Sequence, residues 1–171
     1  MPTATIHVAQ GEHAVCDRAD TMITTILGSC VSVCLHDPDR RIGGMNHILL
    51  PESLEGDPTR AAVGINAMEL LINALIRQGA ERSRLRAKLF GGARMIAGLS
   101  DIGARNARFA QEFLQREAIA CQSSSLGGTQ GRRVQFWPES GRARQLLLPG
   151  DAVPEERPIR QAAPGSDVEL F

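Results

Sequence analysis

Two short stretches carry the residue types that nucleophilic chemistry needs. The first is Leu27-Gly28-Ser29-Cys30-Val31, with a thiol directly after a small-residue break. The second is Gly43-Gly44-Met45-Asn46-His47, with an imidazole seventeen positions after that thiol. A thiol becomes a strong nucleophile once a base takes its proton, and a neighbouring histidine is the usual base. Cys30 and His47 are therefore the candidate reacting pair. The bland alternative for Cys30 is a buried small hydrophobe, the usual fate of a free cysteine.

Apolar alternation dominates the surrounding sequence. Ala4–Val8, Ala14–Cys16 and Met22–Leu27 read as strands, the last rich in β-branched residues. Gly28-Ser29 breaks the third, and Val31, Val33 and Leu35 then alternate with Ser32, Cys34 and His36. Asp37-Pro38-Asp39-Arg40 is turn chemistry, and Ile42–Leu50 is an apolar run closed by Pro51. These segments give a β-hairpin followed by a polar loop, Glu52–Pro58. With the turn centred between Pro38 and Asp39, opposed residues have numbers that sum to 77, as 30 and 47 do. That register sets the two β-carbons about 4.5–5.5 Å apart on one face.

Downstream the period changes. Ile65, Met68, Ile72, Leu75 and Ile76 recur at helical spacing over residues 59–78, with Gly79 as the stop. Arg84–Phe90 reads as a strand before Gly91-Gly92. Residues 103–117 read as a second helix presenting Phe109, Phe113 and Leu114. Ile119–Ser125, Arg133–Pro138 and Ala143–Leu148 are further strands. The expectation is an α/β (α+β) domain, residues 1–149. Residues 150–171, where Pro154, Pro158 and Pro164 fall among charged and small residues, read as a mobile tail with a frayed end.

Composition narrows the function classes. The chain has 171 residues and a formal net charge of zero, which argues against a nucleic-acid binder working through a basic face. No uninterrupted apolar run approaches the ~20 residues of a membrane helix, and Met1–Thr5 opens no secretory signal, so the expected location is the cytoplasm without membrane insertion. In that compartment Cys16, Cys30, Cys34 and Cys121 are expected as thiols. Cys30, Cys34, His36 and His47 resemble a metal-ligand set on paper. Along one strand, however, Cys30 and Cys34 lie about 13 Å apart, too far for one zinc or a disulfide. Neither metal nor cofactor is expected. Gly91-Gly92 lacks the lysine and serine or threonine of a phosphate loop; it and Gly127-Gly128 are turns or places of close approach.

The two opening motifs, with Leu50-Pro51, Lys88-Leu89-Phe90-Gly91-Gly92-Ala93, Ile102-Gly103-Ala104-Arg105-Asn106 and Gly127-Gly128 before Gly131-Arg132-Arg133-Val134, resemble in order and content the chemoreceptor glutamine deamidase family CheD. The resemblance spans about residues 5–148 and omits the tail. It implies sheet layers carrying two helices, as in toxin deamidases, and a Cys-His-Thr triad. The family's cysteine and histidine correspond to Cys30 and His47. Its threonine, six residues before the cysteine, corresponds to Thr24, with Thr25 adjacent.

The implied activity is conversion of specific glutamines on the helical cytoplasmic domain of methyl-accepting chemotaxis receptors into glutamates, through a cysteine thioester. Some members also hydrolyse receptor methyl esters, and a CheC-type phosphatase is an implied partner. Gly28, Ser29 and Asn46 are the candidates for oxyanion or substrate binding, although a strand asparagine can equally bond to backbone. The competing functions are a non-catalytic adaptor for that phosphatase and transglutamination by the same thiol.

Overall fold

The computed structural model describes residues 3–52, 56–95, 101–149 and 168–171. Part of the expected polar loop (53–55) and most of the expected tail (150–167) lie outside the described residues. Among the described residues, ten strands and two α-helices follow in the order β1 (Ala4–His7), β2 (His13–Cys16), β3 (Thr21–Leu27), β4 (Val31–Asp37), β5 (Ile42–Asn46), α1 (Pro58–Arg77), β6 (Arg86–Gly91), α2 (Ile102–Arg116), β7 (Ala120–Leu126), β8 (Arg132–Trp137), β9 (Arg142–Leu147) and β10 (Val168–Leu170). The fold is α+β.

The strands form two five-stranded sheets, ordered β1-β3-β8-β9-β10 and β2-β5-β4-β6-β7. Pairing is antiparallel except for β1 with β3 and β6 with β7. Strand β4 shows how the layers are built from period-two alternation. Val31, Val33 and Leu35 enter a core shared with Met68, Leu71, Leu75, Phe113 and Leu114 of the helices. Cys34, on the other face, enters a second core with Cys30, Ile23, Leu27, Phe90, Val134 and Phe136. The order of layers is therefore first sheet, second sheet, helices. Strand β3 is buried throughout because it lies inside the first sheet and against the second.

Local chemistry fixes the helix ends. Asp57 caps α1 by accepting from the Thr59 amide at 2.8 Å, with Pro58 in the first turn. Gly79 ends it at φ +106°, a left-handed conformation open to glycine. Asp101 caps α2 through the Ala104 amide at 2.9 Å. The buried stripe of α1 is Gly64, Met68, Leu71, Ile72 and Leu75, so the expected Ile65 and Ile76 fall on its exposed flank. Among the described residues α1 alone has the length and apolar composition of a membrane span. Here it packs on β2 and β5.

Two expectations need correction. First, β4 and β5 pair with numbers summing to 79, as in Cys34 with Met45 and Val31 with Ile48. The loop is four residues, 38–41, because the Asp37 carboxylate accepts from the amides of Asp39 (3.0 Å) and Arg40 (3.2 Å), and Arg41 turns left-handed at φ 53°. Cys30 and His47 are therefore not direct partners. They are offset by two residues, which preserves the face. Second, the C-terminal residues are not frayed. Strand β10 pairs with β9, the Phe171 ring meets Phe90 edge-on at 5.2 Å, and the Phe171 carbonyl accepts from Lys88 Nζ at 3.0 Å.

Candidate active site

Gly28, Ser29 and Cys30 form the crossover by which the chain leaves β3 in the first sheet and enters β4 in the second. Glycine chemistry holds this crossover closely. The Ala93 amide donates to the Gly28 carbonyl at 3.0 Å, and the Gly92 amide donates to the Cys30 carbonyl at 2.9 Å. Gly91 has φ +111°, and a β-carbon there would sit 2.2 Å from the Cys30 carbonyl oxygen. Gly127 in turn donates to the Gly91 carbonyl at 2.9 Å. Gly91-Gly92 and Gly127 thus cradle the cysteine loop, backbone against backbone.

The crossover leaves Cys30 1% exposed. His47 follows the end of β5 and is 6% exposed. Its amide donates to Glu12 O at 3.1 Å and its carbonyl accepts from the Gly11 amide at 2.9 Å, so the β1–β2 loop grips it. The Val31–Ile48 bridge holds the next residue beside the start of β4.

The hydroxyl that meets the imidazole belongs to Thr25. Its Oγ1 lies 2.8 Å from His47 Nδ1. Thr24, the expected partner, donates instead to the Val134 carbonyl at 2.7 Å. Adjacent strand residues point to opposite faces, so only one of the two can face the second sheet.

The Thr25 hydroxyl donates its single proton to Val8 O at 2.7 Å. Its oxygen is then an acceptor toward His47, which places the proton on Nδ1 and leaves the lone pair on Nε2. Burial pushes the imidazole pKa down from 6.5 to about 4, against the Val8 carbonyl, which acts to raise it. At neutral pH His47 is an uncharged base.

The other expected residues fall into different roles. The Asn46 amide is committed to the fold, with Oδ1 accepting from the Val33 amide at 3.0 Å and Nδ2 at 3.4 Å from Met68 Sδ. Its side chain thus serves as the strand asparagine bonded to backbone that the sequence allowed. Ser29 is buried, 9% exposed. Its carbonyl accepts from Asn106 Nδ2 at 2.9 Å. In the sequence Asn106 stands only as the last letter of Ile102-Gly103-Ala104-Arg105-Asn106. A polar residue in the middle of an apolar helix face was the available signal for it.

Cys34 is fully buried, its thiol pushed up to about 12 by desolvation, which keeps it a packing group. Cys16 also packs, whereas Cys121 is exposed on the edge strand β7. His36 bonds through Nε2 to the Glu139 carbonyl at 3.0 Å. Among the described residues no group of three or more histidine, cysteine or carboxylate side chains could hold a metal ion.

Comparison with known proteins adds an independent line. The family model described as CheD chemotactic sensory transduction matches residues 49–145. A relative from Caulobacter sp. (strain K31), named probable chemoreceptor glutamine deamidase CheD, is 51% identical over 179 residues, covering 99% of this chain and 94% of that protein. Proteins with the same name from Caulobacter vibrioides (strain NA1000 / CB15N) and Agrobacterium fabrum (strain C58 / ATCC 33970) are 49% and 50% identical. Each alignment covers 97% of this chain, and 92% and 96% of the relative respectively. Among solved structures, Neisseria meningitidis protein NMB0706 superposes with a TM-score of 0.46 over 75% of this chain and 64% of that one, at 13% identity. Identity near one half over almost the whole chain, with the family model across more than half of it, places this protein in the CheD family of chemotactic sensory transduction.

Proposed function

We propose that this protein deamidates specific glutamine side chains of methyl-accepting chemotaxis receptors in the cytoplasm, with Cys30, His47 and Thr25 as the reacting group. The observation that carries this reading is the Val8–Thr25–His47 relay. It presents a neutral imidazole whose Nε2 is the free base, in the sheet that also receives the Cys30 crossover.

In the proposed cycle His47 Nε2 takes the thiol proton of Cys30, and Sγ attacks the carboxamide carbon of a receptor glutamine. The carbonyl electron pair moves to oxygen, and backbone N–H groups at Ser29 and Cys30 receive that charge. The resulting imidazolium returns its proton to the amide nitrogen, the C–N bond breaks, and ammonia leaves behind a thioester. His47 then deprotonates a water, which attacks the same carbon. Cleavage of the C–S bond releases glutamate, and the thiolate recovers the proton. Thr25 carries no charge, so it orients the ring without the electrostatic support that a carboxylate would lend the imidazolium.

The test is direct. Incubation with receptor cytoplasmic fragments should convert glutamine to glutamate, seen by peptide mass mapping and by stoichiometric ammonia. Cys30→Ala should abolish both signals. An unmodified receptor alongside intact protein would favour the adaptor alternative, and amine incorporation in place of hydrolysis would favour transglutamination. Whether a CheC-type phosphatase binds is a separate question, answered by mixing the two purified proteins.

A further inference from the structure

Asn106 occupies the fifth position of α2 and is fully buried. Its side chain makes two bonds of opposite polarity. Nδ2 donates to the Ser29 carbonyl at 2.9 Å, and Oδ1 accepts from the Leu50 amide at 3.0 Å. One rigid amide group therefore ties the residue before the nucleophile to a residue three places beyond the histidine. The approach that makes this reach possible is built in. Gly103 packs so closely on the cysteine-loop cradle that a β-carbon there would lie 2.3 Å from the Ala93 carbonyl.

The peptide joining Ser29 to Cys30 is planar and trans, so its C=O and N–H point in opposite directions. A group that fixes the Ser29 carbonyl also fixes where the Cys30 N–H aims. A hydrogen bond accepted by the carbonyl further polarises that N–H. Building on the deamidase reading, we infer that Asn106 is a positioning residue that sets the Ser29–Cys30 peptide plane and so directs the Cys30 N–H at the oxyanion formed during attack. It acts through the loop and touches no substrate.

Asn106→Leu keeps the side-chain size and removes both bonds, and Asn106→Ser serves as the second variant if the leucine form does not fold. On receptor fragments, kcat should fall roughly 100-fold, the low end for loss of an oxyanion donor, with KM unchanged. Alkylation of Cys30 by iodoacetamide needs the thiolate but no oxyanion donor, and should stay within about threefold of wild type.

Three results would overturn the assignment. They are an unchanged kcat, a rise in KM that accounts for the loss, and a parallel fall of alkylation and turnover, which marks Asn106 as scaffold alone. If the wild type alkylates but modifies no receptor, the deamidase reading falls by itself. The amide 1H and 15N shifts of Cys30 then decide the positioning role: it stands if they move in the variant and fails if they do not.

Discussion

Thr25 Oγ1 lies 2.8 Å from His47 Nδ1 while accepting no proton from its other neighbour, because it donates to the Val8 carbonyl. This relay separates the two adjacent threonines by function. Thr25→Val should lower kcat about tenfold, the worth of one buried hydrogen bond of ~1.4 kcal/mol. Thr24→Val removes the bond to Val134 and should cost stability without changing the turnover of folded protein. Steady-state kinetics of the two variants, normalised to folded fraction, reads the difference. Equal losses would remove the relay from the mechanism.

His47→Ala should retain the fold and lose at least ~100-fold in turnover, the low end for removing a general acid–base. Circular dichroism checks the fold, and ammonia release checks the rate. Activity near wild type would leave His47 no part in the chemistry.

The same residue sets a pH dependence of stability. Folding lowers its pKa from 6.5 to about 4, so the unfolded chain binds a proton that the folded chain refuses between those values. Its contribution is fully present above pH 6.5 and is lost as pH falls toward 4. At pH 5 the loss is on the order of 1–2 kcal/mol. Denaturant titrations at pH 7 and pH 5 should show wild type losing more stability than His47→Ala, and parallel losses would contradict the burial argument.

Phe171→Ala should cost about 1–2 kcal/mol by stripping the edge contact from Phe90. For a chain of this size that is a fall in Tm of roughly 3–6 °C by calorimetry. A melting curve unchanged by the substitution would mean that the C-terminal strand contributes nothing to the core.

Much of the fold was legible because its signals are local. Period-two alternation marks β4, Asp57 and Gly79 bound α1, and Asp101 caps the start of α2. What escaped depends on contacts remote in sequence. The hairpin register turned on the Asp37 carboxylate gathering the loop amides, which converts a two-residue turn into a four-residue one. The choice between Thr24 and Thr25 could not be made from alternation, because β3 is buried on both faces and offers no polar side to count from. Strand β10 was hidden by the charged and proline-bearing segment before it, although Leu170-Phe171 carried the apolar signal. Asn106 was visible as a letter, but its two partners lie 77 and 56 positions away.

The crossover at Gly28-Ser29-Cys30 has a mechanical corollary. The orienting hydroxyl belongs to the first sheet, the imidazole to the end of a strand in the second, and the thiol to the span between them. The proposed chemistry thus sits astride a joint, and the interlayer packing of Leu27, Phe90 and Phe136 acts as its clamp. Any slippage between the layers would pull the base from its hydroxyl before it unravelled a single strand. Turnover is accordingly a finer gauge of sheet-to-sheet alignment than any measure of secondary structure.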